Sequence, residues 1–193
     1  YINKGNFTFK EEGEKWGVND KQRSRQAVFF DYNRDGLVDL FVLNHPPNRG
    51  SYSPFIGQDI MKTEYSSQLY KNINNQYFEL VTKEAGLEKT GFPSSASVAD
   101  FNKDGWLDLY VSNDFDAPDF LYMNNKDGTF RYQTEQSMKH TSFYSMGVDT
   151  GDIDNDGNID LMTLDMVAED NFRSKSNMSG MDVQEFWNVV NNG

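Results

Sequence analysis

The sequence predicts an all-β fold, a partial β-propeller of about three blades with four antiparallel strands each, followed by a short C-terminal helix. Three observations lead to this prediction. An acidic pattern, D-x-[DN]-x-D-G-x-x-D-L, occurs three times in the 193 residues. A Tyr-x-Asn element begins 30 residues before the first Asp of every copy, and short apolar runs flank the copies. Short strands that repeat with a period of about 50 residues are typical of propellers.

Each repeat is expected to supply four strands: one before the acidic loop, one after it, one at the Tyr-x-Asn element and one around a Phe eight residues beyond that Tyr. Residues 1–20 resemble the outer strands of a preceding blade. We therefore expect a fragment of one propeller domain, whose remaining blades belong to the same parent chain. The repeats cover about residues 1–44, 69–113 and 121–165.

Two segments fall outside the repeats. Residues 45–66 are rich in Pro, Ser and Gly and are predicted to form an inserted surface loop, in which Tyr52 and Phe55 are the candidate partner contacts. Residues 168–193 form a predicted helical tail, because apolar side chains between Asp182 and Val190 have helix-face spacing. A frayed end without a helix is the alternative interpretation of the tail.

Composition excludes several classes of protein. The chain has no cysteine, which excludes disulfide bonds, cysteine-based zinc sites and a thiol nucleophile. Its formal charge of −12 argues against nucleic-acid binding, which requires a basic surface. No apolar run has the roughly 18–20 residues of a membrane span. Half of the 20 aspartates lie in the three acidic loops, so the charge is mostly a property of those loops.

Ligands that are all oxygens suit a hard cation, and calcium takes 6–8 of them. Counting from the first Asp, side chains at positions one, three and five can converge, and Gly at position six permits a left-handed backbone. Position seven offers its carbonyl, and the Asp at position nine completes the set. The predicted ligands are Asp31, Asn33, Asp35, Leu37 and Asp39 in loop one; Asp100, Asn102, Asp104, Trp106 and Asp108 in loop two; and Asp152, Asp154, Asp156, Asn158 and Asp160 in loop three.

Two other interpretations of the loops remain. The Asp, Asn and Gly residues could simply mark hairpin turns, but four converging polar groups repel one another unless a cation lies between them. Magnesium is the weaker rival because it prefers six near-ideal ligands and retains its waters. Loop three has four aspartates, whereas Asn replaces one of them in each of the other loops. We therefore expect loop three to bind calcium most tightly.

At these residues the sequence resembles the FG-GAP or VCBS-type repeat proteins, which include integrin α-subunit propellers and bacterial relatives of cartilage acidic protein. The resemblance rests on the loops and on Leu69-Tyr-Lys-Asn72 and Leu121-Tyr-Met-Asn124, and it covers roughly residues 1–167. The FG-GAP stretch itself is degenerate, with Phe92-Pro-Ser-Ser-Ala96 and Tyr144-Ser-Met-Gly147 in its place. The resemblance implies a structural calcium ion in each loop, at one rim of a propeller that requires further blades to close.

Catalytic residues are sparse. His45 and His140 are both expected in solvent-exposed loops without triad or metal partners, and the segment 114–119 is expected to be a turn with solvated charges. We expect a non-catalytic binding or scaffold module of an extracellular or cell-surface protein, on the outer-membrane surface or in the periplasm of a bacterial host. Its partner would be a protein or glycan, or a surface complex that it serves as an accessory. The alternative is the propeller of a secreted hydrolase or lyase with catalytic residues elsewhere.

Overall fold

The computed structural model describes residues 1–46, 65–114, 117–142 and 144–166. The regular secondary structure of the described part is almost entirely β-strand, and its one helix is the single turn α1 (Thr134–Ser137). Nothing in this part is helical over a length that could cross a membrane. The inserted loop with Tyr52 and Phe55, and the predicted C-terminal helix, lie outside these ranges.

Two four-stranded antiparallel sheets form the centre of the molecule. The first blade has its strands in sequence order: β3 (Arg23–Phe30), β4 (Asp39–His45), β5 (Gln68–Ile73) and β6 (Tyr77–Leu80). The second blade repeats this order with β7 (Pro93–Ala99), β8 (Asp108–Asn113), β9 (Phe120–Asn124) and β10 (Phe130–Tyr132). The predicted meander of four strands per repeat is therefore confirmed.

Two-stranded sheets lie before and after the complete blades in the chain. The hairpin β1 (Ile2–Gly5) and β2 (Thr8–Lys10) has the sequence pattern of third and fourth strands. The pair β11 (Ser145–Gly151) and β12 (Asp160–Asp165) has the pattern of first and second strands, with an acidic loop between them. These sheets are consistent with the predicted fold class, a partial β-propeller.

Residues at corresponding positions of the two complete blades form the same strand pairs. Leu40 of β4 pairs with Tyr70 of β5, and Leu109 of β8 pairs with Tyr122 of β9. Because side chains alternate between the faces of a strand, the main core takes one face of the first blade, which includes Leu69, and the opposite face of the second, which includes Tyr122. The buried side chains Leu43, Leu69, Leu109, Val111 and Tyr122 belong to this core, with exposed fractions of 0–2%.

The first strands of successive sheets lie side by side. Gln26 of β3 exchanges two hydrogen bonds with the backbone of Ala96 in β7: its Oε1 accepts from the N–H at 2.7 Å, and its Nε2 donates to the carbonyl at 3.4 Å. Further along, the hydroxyls of Ser97 in β7 and Thr150 in β11 are 2.9 Å apart. The inner strand of each blade therefore contacts the next inner strand, and the acidic loops follow these strands at corresponding positions.

Candidate metal centres

Each acidic loop connects the first and second strands of its sheet. Loop one (31–39) joins β3 to β4, loop two (100–108) joins β7 to β8, and loop three (152–160) joins β11 to β12. Because each loop leaves an inner strand at the same position of the repeat, the three loops form a row along one rim of the blades. The family resemblance implied this placement at one rim, and the apolar runs after each loop and before the first two indicated the flanking strands.

The first Asp of each loop organises the backbone that follows. In loop one, the Oδ1 of Asp31 accepts a hydrogen bond from the N–H of Asp35 at 3.1 Å, and its Oδ2 accepts from Gly36 at 2.9 Å. Asp100 and Asp152 make the same pair of bonds, at 2.7–3.1 Å. All of these contacts span four or five residues, so the sequence within the loop is sufficient to specify them.

The chain reverses at positions four and six. Position four has a φ of 55°, 58° and 59° at Arg34, Lys103 and Asn155. The glycines at position six have a φ of 83–86°, where a Cβ would be strained. This geometry curls the loop around the side chains at positions one, three and five, as the calcium-loop interpretation requires.

Three carboxylates of loop three lie close together. One oxygen each from Asp152, Asp154 and Asp156 lies within 4.8 Å of the others. Three negative charges at that separation repel one another, and an oxygen-only donor set fits a hard cation such as calcium. Asp154 and Asp156 are exposed, so an ion has open access to them. The donor set therefore fits calcium.

At position five, hydrogen bonds hold the carboxylate in place. The Oδ1 of Asp104 accepts from the N–H of Trp106 at 2.9 Å, and its Oδ2 accepts from the Asn102 amide at 2.9 Å and lies 3.3 Å from the Nζ of Lys126. Partial burial raises the pKa of Asp104, but these donors outweigh it and hold the pKa below its usual value. Asp104 is therefore ionised near neutral pH, as a calcium ligand must be.

Position nine is a buried anchor. Asp39 and Asp108 are fully buried, and both of their oxygens accept backbone hydrogen bonds. One donor lies within the loop, Tyr32 at 3.2 Å or Phe101 at 3.1 Å. The other donor is the N–H of an Asn in the third strand, at 2.7 Å from Asp39 and 2.8 Å from Asp108. Each oxygen keeps a second lone pair, so these bonds do not remove its capacity to bind a cation.

Burial also affects the protonation of this anchor. Desolvation raises the pKa of Asp39 to about 6, and only part of this effect is offset by the bonds from Asn72 and Tyr32. The pKa of Asp108 shifts in the same direction for the same reason. A nearby divalent cation would favour the ionised form of both groups.

The Asn of the Tyr-x-Asn element has a role that the sequence did not predict. Its backbone N–H donates to the position-nine Asp, and its side chain binds the loop backbone: the Nδ2 of Asn72 donates to Val38 O at 2.9 Å. The Nδ2 of Asn124 donates to Tyr32 O, in the loop of the preceding blade, at 2.8 Å. The repetition of this Asn in every Tyr-x-Asn element was the signal that could have suggested a shared role, but its spacing to the next loop does not show that it contacts the loops before it.

The asparagines at position three and the backbone at position seven donate hydrogen bonds to the carboxylate at position five. The amides of Asn33 and Asn102 donate to the position-five carboxylate of their own loop, each at 2.9 Å. The backbone N–H groups at position seven (Leu37, Trp106 and Asn158) donate to the same carboxylate at 2.7–2.9 Å. Carbonyl coordination at position seven stays a prediction.

Two expectations about polar residues were wrong. His45 is not in an exposed loop: it is the last residue of β4, half-buried, with its ring 5.4 Å from that of Phe92, and burial lowers its pKa. Asp119 is not a solvated turn residue either. It is fully buried and accepts 2.7 Å hydrogen bonds from the Tyr110 hydroxyl and the Asn113 N–H, which gives it a structural role.

Comparison with known protein families identifies the repeat. The sequence model of one family, the FG-GAP-like repeat, matches residues 58–111 and again residues 109–163. These matches contain loops two and three, and together they cover more than half of the chain. No curated protein matches the sequence.

Proposed function

Because this chain belongs to the FG-GAP-like repeat family, we propose that it is a calcium-stabilised β-propeller module that binds a partner and has no catalytic role of its own. FG-GAP repeats are typical of extracellular or surface proteins. The proposed setting is accordingly the outside of the cell, as part of a secreted or surface protein. The proposed partner is a protein or glycan, or a surface complex that the module serves as an accessory.

The observation that supports calcium binding is the convergence of the loop-three carboxylates. The corresponding positions in loops one and two share its backbone hydrogen bonds at positions one, five and six. An ion in each loop would be held by the side chains at positions one, three, five and nine and by the position-seven carbonyl. The ion supplies positive charge that neutralises these groups and cross-links the loop.

Linkage gives the size of the effect. An ion that binds only the folded loop stabilises the protein by RT ln(1 + [Ca]/Kd). With a Kd of about 0.1–1 mM, as in extracellular modules, and ~1–2 mM calcium, each site adds ~0.4–1.8 kcal/mol. Cytosolic calcium is too low to saturate sites of this affinity, which is the physical argument for an extracellular compartment.

A thermal unfolding experiment tests this proposal. We expect the Tm of the whole chain to rise when calcium is added and to fall when a chelator removes it. The matched control is the triple variant Asp35→Asn, Asp104→Asn, Asp156→Asn, whose Tm should not respond to calcium. Identical melting curves of the unmodified chain in calcium and in chelator would refute the proposal.

The binding role can be tested through the inserted loop. Tyr52 and Phe55 lie outside the described residues, so their role in the proposal depends on the sequence alone. We expect the variant Tyr52→Ser, Phe55→Ser to lose binding on a glycan array, or to a surface extract of the host, without a change in Tm. Unchanged binding would exclude the insert as the contact.

A further inference from the structure

Position four of the acidic loop points away from its own loop and toward the next one. The Nη1 of Arg34, in loop one, lies 3.4 Å from the point that a Cβ would occupy on Gly105, in loop two. The Nζ of Lys103, in loop two, lies 3.7 Å from the corresponding point at Gly157, in loop three. The same contact, from a cation at position four to a glycine at position six, therefore occurs twice in the row of loops.

Further contacts accompany each cation. The guanidinium carbon of Arg34 lies over the indole ring of Trp106, 5.4 Å from the ring centre. Lys103 acts electrostatically on Asp156, a predicted ligand of loop three. Both side chains extend from a residue with a left-handed backbone, which directs them out of their own loop. These two contacts, Arg34 to loop two and Lys103 to loop three, are called the position-four bridges below.

We propose that the position-four bridges connect each metal centre with the preceding loop, so that Arg34 lowers the affinity of loop two for calcium and Lys103 lowers that of loop three. This inference rests on the proposed calcium binding. Its physical basis is Coulombic: a fixed positive charge beside a loop opposes a second cation there, and the effect is stronger near a protein surface than in bulk water. The affinity of a loop therefore depends on its neighbour as well as on its own ligands.

The neighbouring cations, together with the number of aspartates, predict an order of calcium affinity for the three loops. Loop three has four aspartates, and Lys103 is the neighbouring cation among the residues that the structure describes. Loop one has three aspartates, and the Nζ of Lys71 lies 3.9 Å from Asp35. Loop two has three aspartates and two neighbouring cations, Arg34 and Lys126. We therefore expect loop three to bind calcium most tightly, loop one next and loop two most weakly.

Loop two contains its own reporter. Trp106 is at position seven, so excitation of its indole can sensitise terbium bound in the same loop. The experiment uses the whole chain with Asp35→Asn and Asp156→Asn, which disable loops one and three. Terbium is titrated in while its sensitised emission is recorded, and calcium is then added to displace it. The midpoints give the affinity of loop two for both ions.

Three further substitutions are compared in this background. Arg34→Gln should tighten the binding of terbium and calcium about two- to five-fold. Arg34→Lys keeps the charge and should change the affinity less than two-fold. The control Lys139→Gln removes an equal charge from an exposed site beyond α1 and should have no effect. In about 1 M salt, where the Debye length is about 3 Å, the effect of Arg34→Gln should disappear.

The outcomes separate the two proposals. If the Tm of the unmodified chain did not respond to calcium, the proposed function and this inference would both fail; if the Tm responded but calcium did not displace terbium from the background protein, this inference alone would fail. Normal binding with equal affinities for Arg34→Gln and Lys139→Gln would refute the bridge alone. Weaker binding in Arg34→Gln would also refute it, because Arg34 would then support loop two by packing on Trp106.

Discussion

The complete blades and the β11–β12 pair contain the same acidic loop in two different settings. In the complete blades, Asp39 and Asp108 are fully buried and accept two backbone hydrogen bonds each. In the β11–β12 pair, Asp160 is half-buried, and the described residues supply it with one backbone donor, the N–H of Ile153 at 2.9 Å. The difference is the third strand, which contributes the second donor in both complete blades.

This comparison separates local from tertiary determinants. The bonds from Asp152 to the backbone of loop three match those of the other loops within 0.2 Å, so they do not need a third strand. Burial of the strand that follows the loop does require the rest of the blade and the neighbouring blade. Met162 of β12 is 64% exposed, whereas Phe41 at the corresponding position of β4 is 1% exposed. The loop is thus a local unit, and the position-nine Asp connects it to the sheet.

The largest expected effect comes from removing this connection. With chelator present, Asp108→Ala should destabilise the protein by about 2–4 kcal/mol, because two buried N–H groups lose their acceptor. The same change at Asp160 should cost less than about 1 kcal/mol, since that residue is half-exposed. Urea unfolding of both variants measures the difference, and Asp108→Asn, which keeps one acceptor, should be intermediate. Equal losses would show that burial of position nine does not depend on the third strand.

Removing the amide of Asn124 should destabilise the protein by a smaller amount. This amide donates to Tyr32 O in the preceding blade and to Leu107 O in its own, at 2.8 and 3.2 Å, whereas the Asn72 amide bonds within its own blade. Each amide donates two hydrogen bonds, but the bond from Asn124 to Tyr32 is buried and joins two blades, whereas those of Asn72 are part-buried, so Asn124→Ala should cost up to about 1 kcal/mol more than Asn72→Ala. Chemical denaturation of the two variants provides the test. A larger loss at Asn72 would contradict a role in joining the blades.

Calcium titrations sharpen the comparison between loops. Loop three contains four aspartates, so a chain in which only loop three remains intact should bind calcium a few-fold more tightly than one that retains only loop one or loop two. Asp→Asn changes at position five disable the other loops in each case. Calorimetric titration gives the three affinities. If loop three bound most weakly, ligand charge would not control the affinity.

The smallest expected effect is a pH-dependent change in the stability of the hairpin β1–β2. Hydrogen bonds from Lys10 and Lys4, with a contribution from Lys15, lower the pKa of Glu12 from 4.5 to about 2. A lowered folded-state pKa means that this stabilisation is present above pH 4.5 and is lost as the pH falls toward 2. The hairpin β1–β2 should loosen over that range.

Fluorescence can detect this loosening, because Trp16 packs against Phe78 with ring centres 5.9 Å apart. In the range between pH 4.5 and 2, the emission of Trp16 should shift to longer wavelength as its ring is released. The control Glu12→Gln cannot titrate at this site and should show a loosened hairpin already at neutral pH. If the unmodified chain and the control had the same pH profile, the three lysines would not stabilise the hairpin through Glu12.

The sequence by itself determined the strand order of each repeat, the placement of the acidic loops between first and second strands, and the ligand types in each loop. These features are encoded within about ten residues, or in a repeat that the pattern displays directly. Only the tertiary structure decided which groups those loops contact. Arg34 meets Trp106 and Asn124 meets Tyr32 although 72 and 92 residues separate them. Such contacts depend on how neighbouring blades pack, and neither hydrophobic period nor motif spacing carries that information. The burial of Asp39, Asp108 and Asp119 has the same origin, because an acidic residue enters a core only where distant backbone or hydroxyl donors compensate its desolvation.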